Sequence, residues 1–229
     1  MKTRIIISLI SILIVFAIGF LSFFFAPDIS EWITGKTTTA RANILETPDY
    51  NCSVVLTQGI NFVSFPCEPE QYNFTRALSN EDNETLNFNY VFTFNPNNLI
   101  KPWHSYKHSL PNWTVQNIPE KLDRRRGYVI YMEEAGVYHA EGLRFGTTNI
   151  QLKEGWNLVG YPSDNIKNVT DALSSIQNVY LSVYSYQLTG ESKTWVYHIK
   201  DEGGTLEYFI PGYAYWIEVE QDTTWVVEW

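Results

Sequence analysis

The chain opens on an apolar run and then changes its period. After Lys2 and Arg4, positions Ile5 to Phe25 pass 21 residues without a charge. At about 1.5 Å per residue a helix of that length just covers the hydrocarbon core of a bilayer. From Ala26 to about Tyr50 the residues are polar and irregular, with Pro27, Gly35, Thr37 to Thr39 and Pro48, and read as a spacer. Beyond Tyr50 apolar and polar positions alternate in short runs, which is the signature of strands with one buried face. Ile150 to Lys153 and Trp156 to Tyr161 are expected to form a hairpin about Lys153-Glu154-Gly155. Asn168 stands ahead of Val169, Ala172, Leu173 and Ile176, spaced i, i+3, i+4 and i+7, which predicts a short helix with Asn168 as its N-cap. Further strands are expected at Val179 to Tyr186, Trp195 to Ile199, Tyr213 to Glu220 and Thr223 to Trp229. In the first of these the alternation sets Val179, Leu181 and Val183 against Tyr180, Tyr184 and Tyr186.

The same order of elements occurs earlier in the chain. Gly59-Ile60-Asn61-Phe62-Val63-Ser64-Phe65-Pro66 is a weaker form of Gly155-Trp156-Asn157-Leu158-Val159-Gly160-Tyr161-Pro162. Three more landmarks follow in step: Asn73 to Leu78 with Asn168 to Leu173, Trp103 with Trp195, and Gly127 to Met132 with Ala214 to Val219. The offsets of 96, 95, 92 and 87 residues shrink as trimmed loops would shrink them. In the first copy this predicts a hairpin of Cys52 to Leu56 with Ile60 to Phe65 and a helix over Asn73 to Asn80. Strands follow at Tyr90 to Asn95, Trp103 to Tyr106, Gly127 to Met132 and Val137 to Ala140. The expected fold is mainly β: an N-terminal transmembrane helix (1–25), a spacer (26–50) and two tandem strand-rich units (51–146 and 147–229). Each unit is expected to be sandwich- or barrel-like with one short helix, and the two to share a core.

Charge and compartment narrow the function. A formal net charge of −9 argues against a nucleic-acid partner, since phosphate binding needs a basic surface. The apolar run is longer than the usual 7 to 15 residues of a cleaved signal, and bulky Phe23 to Phe25 occupy the place of small cleavage-site residues. It is therefore expected to stay as a signal anchor with the lipid bilayer as partner. Lys2 and Arg4 before the run, against Asp28 and Glu31 after it, keep the N-terminus cytoplasmic and the rest outside a single-pass span. The only two cysteines, Cys52 and Cys67, flank the first predicted hairpin and would face each other across it. A disulfide there closes a loop of about 15 residues, adds about 3 kcal/mol in the chain-entropy model, and persists only outside the cytosol.

Gly155 to Pro162, the central Trp195 and Pro211-Gly212-Tyr213-Ala214-Tyr215-Trp216-Ile217 resemble the "GWNLIGYP … W … PGYGYWI" modules of archaeal and some bacterial cell-surface proteins. The resemblance covers 150–229 closely and 54–143 loosely, with Ala214 in place of a glycine and Ile60 in place of the opening tryptophan. It implies strand-rich extracellular modules of largely unassigned function, and it brings no catalytic residues.

Candidate chemistry is sparse. His104 and His108 stand four apart, but in a strand that separation is about 13 Å, too far for one ion, so no metal or cofactor is expected. There is no Gly-x-Ser-x-Gly elbow, phosphate loop or dinucleotide fingerprint. Arg124-Arg125-Arg126 is a candidate anion contact, set against a solvated turn. Trp103, Trp195, Trp216 and Trp225 are candidate ligand-binding aromatics, set against core packing. Asn83, Asn112 and Asn51 are candidate glycan acceptors, while Asn73 and Asn168 fit the same motif as helix caps. The function expected is a membrane-anchored envelope module for structure or for recognition of a glycan or a neighbouring envelope protein. The alternatives are a pilus-like filament subunit assembled through the apolar run, and an envelope hydrolase or secretion accessory.

Overall fold

A computed structural model describes residues 50–69, 78, 84–107, 122–143 and 146–229. The apolar run Ile5 to Phe25, the spacer and the predicted helix over Asn73 to Asn80 lie outside them, apart from Tyr50 and Leu78. Among the described residues no helix is long and apolar enough to cross a membrane. The described residues belong to one compact unit beginning at Glu46.

The N-terminal half contributes β1 (Tyr50–Leu56), β2 (Gly59–Val63), β3 (Glu68–Pro69), β4 (Phe88–Phe94), β5 (Trp103–Lys107), β6 (Tyr128–Met132) and β7 (Gly136–Leu143). The C-terminal half opens with β8 (Thr147–Leu152), β9 (Gly155–Gly160) and β10 (Lys167–Asn168), then helix α1 (Val169–Ala172) and a 3₁₀ turn, Ser174–Ile176. It closes with β11 (Tyr180–Thr189), β12 (Ser192–Ile199), β13 (Gly203–Gly204), β14 (Tyr208–Phe209), β15 (Ala214–Val219) and β16 (Thr223–Glu228). Every ladder among the described residues is antiparallel. The main sheets run β2-β6-β4-β5 and β9-β15-β11-β12-β13, so the first four strands fall in the same spatial order in both halves. Smaller ribbons, β1-β7-β3 and β8-β16, back them. The protein is mainly β, as its alternation predicted.

The expected hairpins are corners instead. β1 pairs with β7 while β2 pairs with β6; likewise β8 pairs with β16 while β9 pairs with β15. The cause is a buried asparagine two residues beyond a glycine. Asn61 Nδ2 donates to the carbonyls of Thr57 and Gly59 at 2.7 and 2.9 Å, and its Oδ1 accepts from Thr57 N at 3.0 Å. Asn157 makes the same bonds to Lys153 and Gly155, at 2.7, 3.1 and 2.9 Å. Gly59 and Gly155 sit at φ +83° and +85°, which lets the chain turn there without side-chain strain. Each corner carries the chain from one sheet into the other, so both layers are made by the same strand pairs.

Each half keeps its own apolar cluster, in place of the single shared core expected. One gathers residues such as Phe65, Tyr128, Ile130 and Tyr138, the other Tyr161, Tyr215, Ile217 and Trp225. Asn168 caps α1 by accepting from Asp171 N at 2.8 Å, and Val169, Ala172, Leu173 and Ile176 are buried as their spacing predicted. The phase predicted for Val179 to Tyr186 fails at its start. A bulge between Tyr180 and Ser182 inserts one residue, so Tyr180 joins the core and Leu181 turns outward, 39% exposed. β4 carries a matching irregularity between Phe88 and Tyr90.

The corner asparagines should be costly to remove, because truncation leaves several part-buried backbone groups without partners. Asn61→Ala and Asn157→Ala should each lower unfolding free energy by about 2–3 kcal/mol in urea titrations, whereas Asn149→Ala, at an exposed strand position, should leave the midpoint in place.

Candidate functional site

The most constructed region is the seam where the main sheets meet, and it begins with backbone. Ser64 N donates to Gly212 O at 3.0 Å, and Gly160 N donates to Arg125 O at the same distance. Isolated bridges join Val63 to Tyr213 and Val159 to Arg126. By the sequence offsets Val63 and Ser64 correspond to Val159 and Gly160, and Gly212-Tyr213 to Arg125-Arg126. Each half thus offers the other the same pair of contacts, the self-complementary pattern of a two-fold interface. A Cβ at Gly160 would lie 2.2 Å from Arg124 O and 2.9 Å from Arg126 O, so glycine is required there by space alone. Ser64 uses its hydroxyl, donating to Tyr213 O at 2.9 Å and accepting from Tyr161 N at 3.2 Å.

Aromatic side chains add further contacts between the two halves. Phe62 lies edge-on to Trp195 at 5.1 Å and to Tyr186 at 5.9 Å. Phe94 and Trp103 reach across to Trp216 at 5.2 and 5.9 Å, and Trp156 packs on Trp216 from its own sheet at 6.3 Å. Such edge-to-face pairs add about 0.5–1.5 kcal/mol each beyond their area. Lys193 joins the halves as well, its Nζ donating to Ile60 O and, at 2.8 Å, to Asn61 Oδ1, while burial holds its pKa below the ordinary lysine value.

This geometry relocates the sequence candidates. Trp216 and Trp225 are 1% and 0% exposed, so neither presents a face to a ligand; Trp225 is a core residue whose Nε1 donates to Ala172 O at 2.7 Å. The reason is strand phase, which points both rings into packed layers. Trp103 and Trp195 are half-buried in the seam. Arg124 is buried, contrary to a solvated turn, and Arg125 and Arg126 give their backbone to the seam. Their charge is met locally: Arg125 Nε and Nη2 donate to Asp123 at 2.8 and 2.9 Å, with Arg126 Nε 3.7 Å from the same carboxylate. Burial pushes the Asp123 pKa upward, but the hydrogen bonds and charge of Arg125 and the charge of Arg126 prevail and hold it below the usual value.

Cys52 and Cys67 form a disulfide, with both residues buried. It is not a clasp across a hairpin. Cys52 lies opposite Ala140 on β7, and Cys67 precedes β3, which pairs with the far side of β7. The bond therefore ties together the strands that flank β7. Asn51 is exposed on β1; Asn83 and Asn112 lie outside the described residues, as does His108. The Asn168 amide is engaged as the cap, its Nδ2 donating to Asp171 Oδ2 at 2.6 Å. Among the described residues no three His, Cys, Asp or Glu side chains gather as metal ligands. A hollow of about 270 Å³ beside α1 and β16 is lined by Lys167, Asp171, Ser175 and Glu228, with Lys167 and Glu228 ion-paired at 3.9 Å. Sequence reasoning passed over Ser64, Gly160, Asn61, Asn157 and Lys193. Their one signal was alignment of the two copies, in which the asparagine recurs and Ser64 faces Gly160.

No protein-family model, no curated sequence and no solved structure matches the chain.

Two consequences are measurable. Gly160→Ala should cost about 3 kcal/mol of unfolding free energy, since its new methyl meets backbone that cannot step aside. For Asp123 the folded-state pKa is depressed, so its contribution is present above the ordinary carboxylate range and is lost as pH falls through it. Urea midpoints followed from pH 6 to pH 2, roughly spanning that range, should fall less steeply for Asp123→Asn than for the parent.

Proposed function

We propose that this chain is a membrane-anchored protein of the cell exterior, in which a duplicated β unit acts as a structural and protein-recognition module of the envelope. The Cys52–Cys67 bond carries the assignment of compartment, because a structural disulfide survives only where thiols are not kept reduced. The 21-residue apolar run behind Lys2 and Arg4 supplies the anchor and its orientation.

Duplication is supported bond by bond. Tyr128 Oη accepts from Asp123 N, five residues upstream, and Tyr215 Oη accepts from Ile210 N, also five upstream. Thr93 Oγ1 donates to Gly127 O and Ser185 Oγ to Ala214 O, at positions related by the sequence offsets. The corner asparagines, the bulges and the reciprocal seam bonds follow the same relation. A structural role is favoured over sugar stacking because the aromatic faces are spent on one another: Phe62, Phe94, Trp103, Trp195 and Trp216 pack together along the seam. The resemblance to cell-surface modules agrees with this reading.

Membrane fractionation with thiol alkylation tests it. Expected are a carbonate-resistant membrane pool, cleavage of the head by protease added to intact cells, and alkylation of both cysteines only after reduction. A soluble cytosolic protein alkylated without reductant would falsify the reading.

A further inference from the structure

The two β hairpins at the β4–β5 and β11–β12 positions differ at their tips. In the C-terminal half the turn is short and polar, Thr189-Gly190-Glu191-Ser192. In the N-terminal half Asn95 to Pro102 extends it and sets Leu99 and Ile100 side by side at 92% and 89% exposure, the highest of the large apolar residues described. The loop is braced by its own asparagines. Asn95 N donates to Pro102 O at 2.7 Å, Asn95 Oδ1 accepts from Asn97 N at 3.1 Å, and Asn98 Oδ1 accepts from the amides of Ile100 and Lys101 at 3.3 and 3.0 Å. Two aliphatic side chains are thus held outward by a formed loop, at a cost in hydration that burial against a partner would recover.

Charge identifies the partner. In a chain of net charge −9, the described residues 85–107 contain no Asp or Glu, and Lys101 adjoins Ile100 in the tip. Thr93 lies opposite Tyr128, so the tip stands at the same end of the sheet as the arginine turn, where Arg125 and Arg126 share the single carboxylate of Asp123 and leave an excess of positive charge. An aliphatic point with positive charge close behind it is the layering of a membrane interface: hydrocarbon, then anionic headgroup.

We infer that the β4–β5 tip inserts Leu99 and Ile100 into an anionic lipid surface, so that the head touches the membrane at a second point besides its anchor. The inference rests on the membrane-anchored reading. Because Cys52 and Cys67 are bonded to each other, Ile100→Cys gives the chain a single reactive thiol. The full chain, labelled there with an environment-sensitive fluorophore, is reconstituted into phosphatidylglycerol–phosphatidylcholine vesicles carrying nitroxide lipid. Glu191→Cys, in the equivalent polar turn, is the comparison. Expected is at least threefold stronger quenching at 100 than at 191, weakened by half or more in pure phosphatidylcholine. A label at Asn97→Cys should lose its quenching when Leu99→Asn and Ile100→Asn are added, changes that leave the fold intact because both side chains are already in water. Equal quenching at 100 and 191 overturns the inference. So does a probe at 100 that is shielded in a concentration-dependent way without lipid, which would assign the tip to a protein partner. Failure of the chain to float with the vesicles at all would instead sink the anchoring reading.

Discussion

Two backbones come together at Gly160 more closely than any side chain allows, and the rest of the seam is arranged around that approach. The amide of Gly160 reaches Arg125 O while the amide of Ser64 reaches Gly212 O, so each main sheet satisfies one donor of the other. Left unpaired where they are buried, such groups cost about 1–3 kcal/mol each. Paired, they fix the register between the halves. The aromatic contacts then add burial to an alignment already set by hydrogen bonds, which is why Trp216 can be almost completely enclosed without sitting in either half's own core.

The contacts of the seam also differ between its two sides. A strict two-fold would place identical residues at corresponding points, yet one point carries serine and the other glycine. Ser64 has room for its hydroxyl and uses it twice, whereas Gly160 faces the carbonyls of the arginine turn. The longer loops of the N-terminal half, its disulfide and its apolar tip are further departures of the same kind.

Much of this was legible in the residues. Alternation located nearly every long strand, and the spacing of Val169, Ala172, Leu173 and Ile176 located the helix and its cap. Gly59 and Gly155 were legible as turns. Their shape was not legible, because a glycine between two alternating runs serves a two-residue hairpin and a sheet-to-sheet corner equally well; only the backbone bonds of Asn61 and Asn157 decide between them. Residue alternation also cannot announce a bulge, and the extra residue at Leu181 shifted the phase of that strand. The tryptophans misled for a related reason. Exposure of Trp216 and Trp225 depends on what lies over their strands, and that is set by the packing of the two layers, which no local pattern carries.

The position of the disulfide bears on how the N-terminal half comes together. β7 lies between β1 and β3 but follows them by a long stretch of chain, whereas Cys52 and Cys67 are close neighbours in sequence. Oxidation therefore needs nothing that comes later. That bond keeps the segments on either side of β7 close together, which lowers the loop-closure entropy of a ladder of high sequence separation. The C-terminal half, whose β8 and β16 are just as distant, has no such guide and must find its ribbon unaided.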